Sequence, residues 1–296
     1  MATLRELKGR IGSVASSEKI TGAMKMISSA KMHRAEMDLK RLLPFRTQIE
    51  TIIGNLLTAD TEFHSPLSEQ REVRRAAIVV LGSDDGLCGG YNINIFKAML
   101  ARLGEIKEAH PGVEVTVIPV GRKVGKAVAY YVGKNGGFSV ETAAAEVNSK
   151  SSGDAVKRFM ETLRDQFLAK RFDLVELCYM NFQSVSRQRA RTDQLLPLSP
   201  EAFKTDGVTQ TCRPCIFEPS AQEIFTTILP MYMLALTQEV FTENRASEMA
   251  ARVMAMQSAN DNAKNLLGDL QLEYNKLRQQ AITSELLDIL GGQSRD

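Results

Sequence analysis

Residues 249–281 read MAARVMAMQSANDNAKNLLGDLQLEYNKLRQQA. Met249, Val253, Met256, Asn260, Ala263, Leu267, Leu270, Tyr274, Leu277 and Ala281 recur at alternating spacings of four and three, the a/d pattern of a coiled-coil seam. Every member except Asn260 suits an apolar seam. A polar residue at one such position fixes register or leaves a place for a partner, at some cost in stability. Between Gln222 and Leu290 the only Pro is Pro230 and the only Gly is Gly268. The pattern predicts one helix ~100 Å long at ~1.5 Å per residue. Gly291–Gly292 is expected to stop it.

The other end of the chain carries a second seam. Thr3 to Leu43 contains no Pro, and Leu4, Leu7, Ile11 and Val14 repeat at three and four. The apolar phase then slips to Ile20, Met24 and Ile27, among the small residues Gly22, Ala23, Ser28, Ser29 and Ala30, which let another backbone approach closely. Pro44 is expected to kink or end this helix, with Ile49, Ile52, Ile53 and Leu56 forming a further short amphipathic stretch. Two long seams in one chain cover each other most cheaply when the chain folds back on itself, which predicts an antiparallel two-helix coiled coil. The net basic N-terminal stretch and net acidic 223–296 favour the same pairing. Self-dimerisation through either seam is the alternative.

Residues 70–220 differ in character. Ala76–Leu81, Val115–Val120 and Leu174–Phe182 read as strands, with helical patterns at Ile95–Ala109, Lys123–Val132 and Asp154–Ala169. Such alternation implies a mostly parallel sheet with crossover helices. Ser184–Leu198 reads as a hairpin arm or edge strand and Lys204–Gln210 as a loop. The expected organisation is an N-terminal coil helix at 1–58, a central α/β domain at 70–220 and a C-terminal coil helix at 221–290.

Three stretches imitate functional motifs. Gly82-Ser-Asp-Asp-Gly-Leu-Cys-Gly-Gly90 lies where a dinucleotide fingerprint would, between a strand and a helix, but its spacing is wrong and Asp84 and Asp85 would repel phosphate. Gly121-Arg-Lys-Val-Gly-Lys126 is too short for a phosphate loop and lacks its Ser/Thr. The central domain therefore resembles a Rossmann fold without a cofactor site. Cys212-Arg-Pro-Cys215 is a lone C-x-x-C with no second ligand pair for zinc, and it reads as an extended segment carrying two ordinary thiols.

Composition narrows the function. Of 296 residues, 44% are hydrophobic and 24% charged, enough for a core and too apolar for global disorder. A net charge of +2 argues against a nucleic-acid coat protein. No stretch approaches the ~20 apolar residues of a membrane span, and the mixed start lacks a signal-peptide core, so a soluble chain on the cytosolic side is expected. Three His residues and no Trp leave little for acid–base or metal chemistry, while 13 Met suit helical surfaces that meet changing partners. No catalytic constellation or metal site is evident.

Ile20-Thr-Gly-Ala-Met-Lys-Met-Ile-Ser-Ser-Ala-Lys-Met32, Ser83-Asp-Asp-Gly-Leu-Cys-Gly-Gly-Tyr-Asn92, Glu243-Asn-Arg-Ala-Ser-Glu-Met-Ala-Ala-Arg-Val-Met-Ala-Met256 and Gln271–Leu286 together resemble the gamma subunit of F-type ATP synthases. The resemblance spans nearly the whole chain and is weakest at 135–170 and 200–220. It implies a non-catalytic rotor shaft, turned by the membrane-embedded ring of c subunits and bound by epsilon. Its coil would stand inside a hexamer of alpha and beta subunits, with ATP chemistry on beta and no cofactor on this chain. A bacterial form, peripheral at the cytoplasmic face of the membrane, is expected.

By motif, Met24, Glu248, Arg252, Gln279 and Thr283 are implied in coupling near the contact with beta. Glu248 and Arg252 are also spaced i, i+4, so a local surface ion pair is the plainer reading. The apolar tip Ile282, Leu286, Leu287, Ile289 and Leu290 is expected to overhang the shorter N-helix and to sit in a sleeve of other subunits. A nucleotide-binding Rossmann-type enzyme and a self-dimerising coiled-coil scaffold are the alternatives.

Overall fold

The computed structural model describes residues 3–57, 63–141, 147–198 and 217–293, with side chains as far as Leu287. The elements run α1 (Leu4–Leu57), β1 (Arg75–Leu81), α2 (Tyr91–Ala109), β2 (Glu114–Val120), α3 (Arg122–Asn135), β3 (Ser139–Val140), α4 (Gly153–Leu168), β4 (Leu174–Ser184), β5 (Arg187–Leu196) and α5 (Ala221–Gln293). The chain is thus a mixed α/β fold with an antiparallel pair of terminal helices. The segment holding Cys212 and Cys215, and the loop expected at Lys204–Gln210, lie outside the described residues.

The sheet has the order β3-β2-β1-β4-β5. β1, β2, β3 and β4 are parallel, and β5 returns antiparallel to β4 as the expected hairpin arm. Six of the seven β1 residues are buried, as a strand covered on both faces requires. Ala77, Val79, Val175 and Leu177 face a core shared with α4, α5 and the Ile49–Ile53–Leu56 end of α1. Ala76, Ile78, Val80 and Cys178 face Tyr91, Ile95 and Met99 of α2 and Val124 and Val128 of α3. One polar pair interrupts that second face, where Arg102 grips Glu176 at 2.6 and 2.8 Å. The two-residue β3 has no counterpart in the sequence reading, being too short to carry a period.

α1 and α5 run antiparallel, as successive cross-links show. Arg46 Nη1 donates to both carboxylate oxygens of Glu239 at 2.9 Å. Further along, Asn260 Nδ2 donates to the Glu18 carbonyl at 2.7 Å and to Thr21 Oγ1 at 3.3 Å. Asn260 is therefore the register pin of the seam. A Cβ on Gly22 would stand 3.3 Å from its amide, so the small residue there makes room for it. Every seam position from Met249 to Ala281 is buried or half-buried. As far as Tyr274 the seam is covered by α1, which removes the basis for the self-dimerising alternative.

Three expectations are corrected. The α1 seam does not slip. Its buried and half-buried positions continue at three and four through Glu18, Thr21, Lys25, Ser28, Met32, Ala35 and Leu39. Ile20 and Ile27 are left 59% and 56% exposed. Polar residues occupy the seam where Asn260 faces them, so apolar type and helix phase part company there. Secondly, α1 passes through Pro44 unbroken. Pro costs a helix interior ~3 kcal/mol, which is offset here by burial of Ile49, Ile53 and Leu56 and by the Arg46–Glu239 pair. Thirdly, α5 includes Gly291 and Gly292 and ends at Gln293. An 18-residue window of α5 is apolar enough for a membrane by composition, but 61% of it is buried inside the protein, so that apolarity is spent on packing.

Candidate functional site

The loop from Gly82 to Gly90 leaves the C-terminal end of β1 and is held from within. Ser83 N–H donates to Asn92 Oδ1 (3.1 Å), Asn92 Nδ2 returns to Ser83 Oγ (2.7 Å), and Ser83 Oγ donates to the Asp85 carbonyl (2.8 Å). Leu87 has φ 63°, the left-handed region that a branched side chain rarely enters, and its side chain is 61% exposed. Asp84 caps α3. Its Oδ1 accepts the Arg122 N–H at 2.9 Å, and Oδ2 accepts the Ser149 N–H and hydroxyl at 3.0 and 2.8 Å. A carboxylate of the chain itself thus occupies the helix N-terminus that would attract a phosphate. Gly121 has φ 108°, and a Cβ there would lie 2.9 Å from Gly82 backbone atoms. Both glycine-rich stretches serve this backbone-to-backbone packing.

In a sheet of this order the ligand crevice lies at the C-terminal ends of β1 and β4, where the winding reverses. Here α5 lies across it. Asn244 Oδ1 accepts from Tyr91 Oη at 2.6 Å and from the Met180 N–H at 3.3 Å, and Ser247 Oγ donates to the Met180 carbonyl at 2.8 Å. One turn on, Arg252 Nη2 donates to Glu248 Oε1 at 2.7 Å and to the Asp85 carbonyl at 3.3 Å, while its Nε reaches the Gly86 carbonyl at 3.2 Å. Glu248 and Arg252 are 0% and 6% exposed. They are not a surface pair but a clamp that holds the glycine loop onto the shaft. Burial raises the Glu248 carboxyl above the ordinary carboxylate range. Arg252 opposes that rise, and the charges of Asp84 and Asp85 add to it. Asp85 is itself held low by its hydrogen bond to Lys150.

The five motif residues do not form one cluster. Met24 is half-buried on α1, Glu248 and Arg252 lie beneath the glycine loop, and Gln279 and Thr283 are exposed on α5. From Arg252 to Gln279 is about 40 Å along the helix at ~1.5 Å per residue. Ile282, Leu286 and Leu287 are 49%, 55% and 63% exposed, while the side chains of Ile289 and Leu290 lie outside the described residues. The sequence reading missed Tyr91, Asn244 and Ser247. A signal existed, because Asn244, Glu248 and Arg252 repeat at i, i+4, i+8, a polar stripe along one face of the helix. Among the described residues no cluster of metal-ligating side chains occurs.

A family profile described as ATP synthase matches residues 3–294. The ATP synthase gamma chain of Bacteroides fragilis is 40% identical over 299 residues, covering 99% of each chain. The chain belongs to the ATP synthase gamma-chain family. Other gamma chains agree: that of Phocaeicola vulgatus is 42% identical and that of Burkholderia thailandensis 35%, each with 99% of both chains covered. The fold is also that of the Euglena gracilis mitochondrial ATP synthase rotor, with TM-score 0.58 at 19% identity over 94% of this chain and 98% of that chain. The Tetrahymena thermophila mitochondrial central stalk matches with TM-score 0.54 at 20% identity, over 81% of this chain and 99% of the other. A gamma chain is a non-catalytic component of the membrane-associated ATP synthase complex and serves as its rotor shaft, as the resemblance implied.

Proposed function

We propose that the paired ends of α1 and α5 turn inside a sleeve of alpha and beta subunits, while the sheet-bearing body meets epsilon and the c-subunit ring at the cytoplasmic face of a bacterial membrane. Regions 1–58 and 221–290 make the shaft, and 70–220 makes the body. Ion flow through the ring turns shaft and body together, and the asymmetric shaft drives each beta site through its binding states for ATP synthesis, or the reverse for hydrolysis. Met24, Gln279 and Thr283 contact beta directly. Glu248 and Arg252 act through the glycine loop that they hold, since neither has surface to offer.

One observation carries this reading. The Glu18–Asn260 bond, continued antiparallel at equal rise, sets Thr3 level with about residue 275. Roughly the last 18 residues of α5 then project ~27 Å past the start of α1. On this unaccompanied stretch Ile282, Leu286 and Leu287 stay exposed, forgoing roughly 1.5–3 kcal/mol each, a cost that a surrounding sleeve removes. Amide exchange tests it. Residues 278–290 should exchange fast in the isolated chain and slow strongly once alpha and beta are bound. Equal rates in both states would refute the shaft-in-sleeve reading.

A further inference from the structure

Torque passing between the body and the shaft has to cross the contact between the sheet and α5. Two kinds of contact make that crossing. Along Phe225–Phe241 the helix is held by apolar packing, with Phe225, Leu229, Met233 and Phe241 buried in the shared core. Such packing is non-directional and resists sliding only through shape. From Glu243 to Ser247 the contact changes to directional hydrogen bonds. Asn181 Nδ2 donates to Glu243 Oε2 at 2.8 Å. Tyr91 Oη donates to Asn244 Oδ1 at 2.6 Å and lies 3.2 Å from the Asn244 carbonyl. Met180 binds through both of its backbone groups, its N–H donating to Asn244 Oδ1 at 3.3 Å and its carbonyl accepting from Ser247 Oγ at 2.8 Å. Tyr91, Asn244 and Ser247 are 2%, 2% and 0% exposed.

We infer that Tyr91, Asn244 and Ser247, with the Met180 backbone, form the torque joint of the rotor, fixing the angle of α5 about its own axis relative to the sheet. The inference rests on the rotor-shaft reading and deepens it. Rotating α5 by even one residue position, ~100° at 3.6 residues per turn, breaks every one of these bonds at once. The buried groups then have no water to turn to, so an intermediate angle is strongly disfavoured. The joint also stands in the crevice where other sheets of this order hold a ligand. These are positioning residues. They touch no nucleotide, and their effect is on how much rotation at the ring reaches the shaft.

The test uses the whole complex, reconstituted in vesicles with this chain or its variants. Tyr91→Phe combined with Asn244→Leu removes the bonds that Tyr91 and the Met180 N–H make to Asn244, leaving only the Ser247–Met180 bond of the joint, while keeping side-chain volume close to the original. Ile106→Ala, buried at the far end of α2 and ~22 Å along that helix from Tyr91, serves as a destabilised control away from both contacts. The expected result is assembly and ATP hydrolysis in both, with ion uptake per ATP hydrolysed falling in the double variant only. Uptake per ATP equal to that of the unaltered chain would overturn the joint and leave the rotor reading intact. Failure of the unaltered chain to co-assemble with alpha and beta would overturn both. Should the double variant not fold, Tyr91→Phe and Ser247→Ala singly give the same readout, each expected to lower the ratio, and an unchanged ratio in both would dismiss the joint.

Discussion

At Glu248, burial and pairing pull in opposite directions. Arg252 supplies a countercharge at 2.7 Å, yet desolvation raises the carboxyl, and its second oxygen finds no hydrogen-bond donor among the described residues. A carboxyl whose affinity for the proton is higher folded than unfolded adds stability that is fully present below the unfolded value near ~4.3 and is lost as pH rises through the folded one. The advantage of the unaltered chain over Glu248→Gln, measured by urea unfolding, should therefore be greatest in acid and shrink towards neutrality. A difference independent of pH would show that Glu248 titrates as an exposed carboxylate does. Gly121→Ala should cost about 1–3 kcal/mol in the same assay, since φ 108° and the 2.9 Å approach to Gly82 both exclude a Cβ. The sequence already showed that Asp84 was wrong for phosphate. That it caps α3 was not legible, because Asp84 and its partner Arg122 are brought together only by the pairing of β1 with β2.

Elements were legible where a period was long and unbroken. The α5 seam from Met249 to Tyr274 reads off the sequence because one face meets α1 throughout that stretch. On α1 the apolar residues misled, since Thr21 and Ser28 lie inward while Ile20 and Ile27 lie out. Phase there is set by the Asn260 bonds, and a long-range hydrogen bond leaves no local trace. Pro44 misled in the other direction. It is exposed, and packing beyond it keeps the helix whole. Pro44→Ala should therefore raise stability, by up to ~3 kcal/mol, read as a higher unfolding midpoint at unchanged m-value. Ending the chain after Leu277 should hardly change the stability of the isolated protein, because the removed turns bury little against α1. The same truncation should weaken capture of alpha and beta.

For the molecule as a whole, α5 is both the outer half of a coil and the filling of the sheet's crevice. The full chain titrated with ATP at millimolar concentration should accordingly give no saturable heat, and a one-site isotherm would mean that α5 can leave the crevice. The same helix also ends alone. A rod's resistance to bending climbs steeply with its width, so the stretch in which α1 and α5 run side by side resists flexure far better than the lone last turns. Sideways load at the tip is taken up as curvature of a single helix, whereas near the sheet it is passed on with little loss. The rotor is thus graded from stiff at its base to compliant at its point, and in the proposed arrangement a sleeve slightly off axis would be followed by the tip without tilting the body.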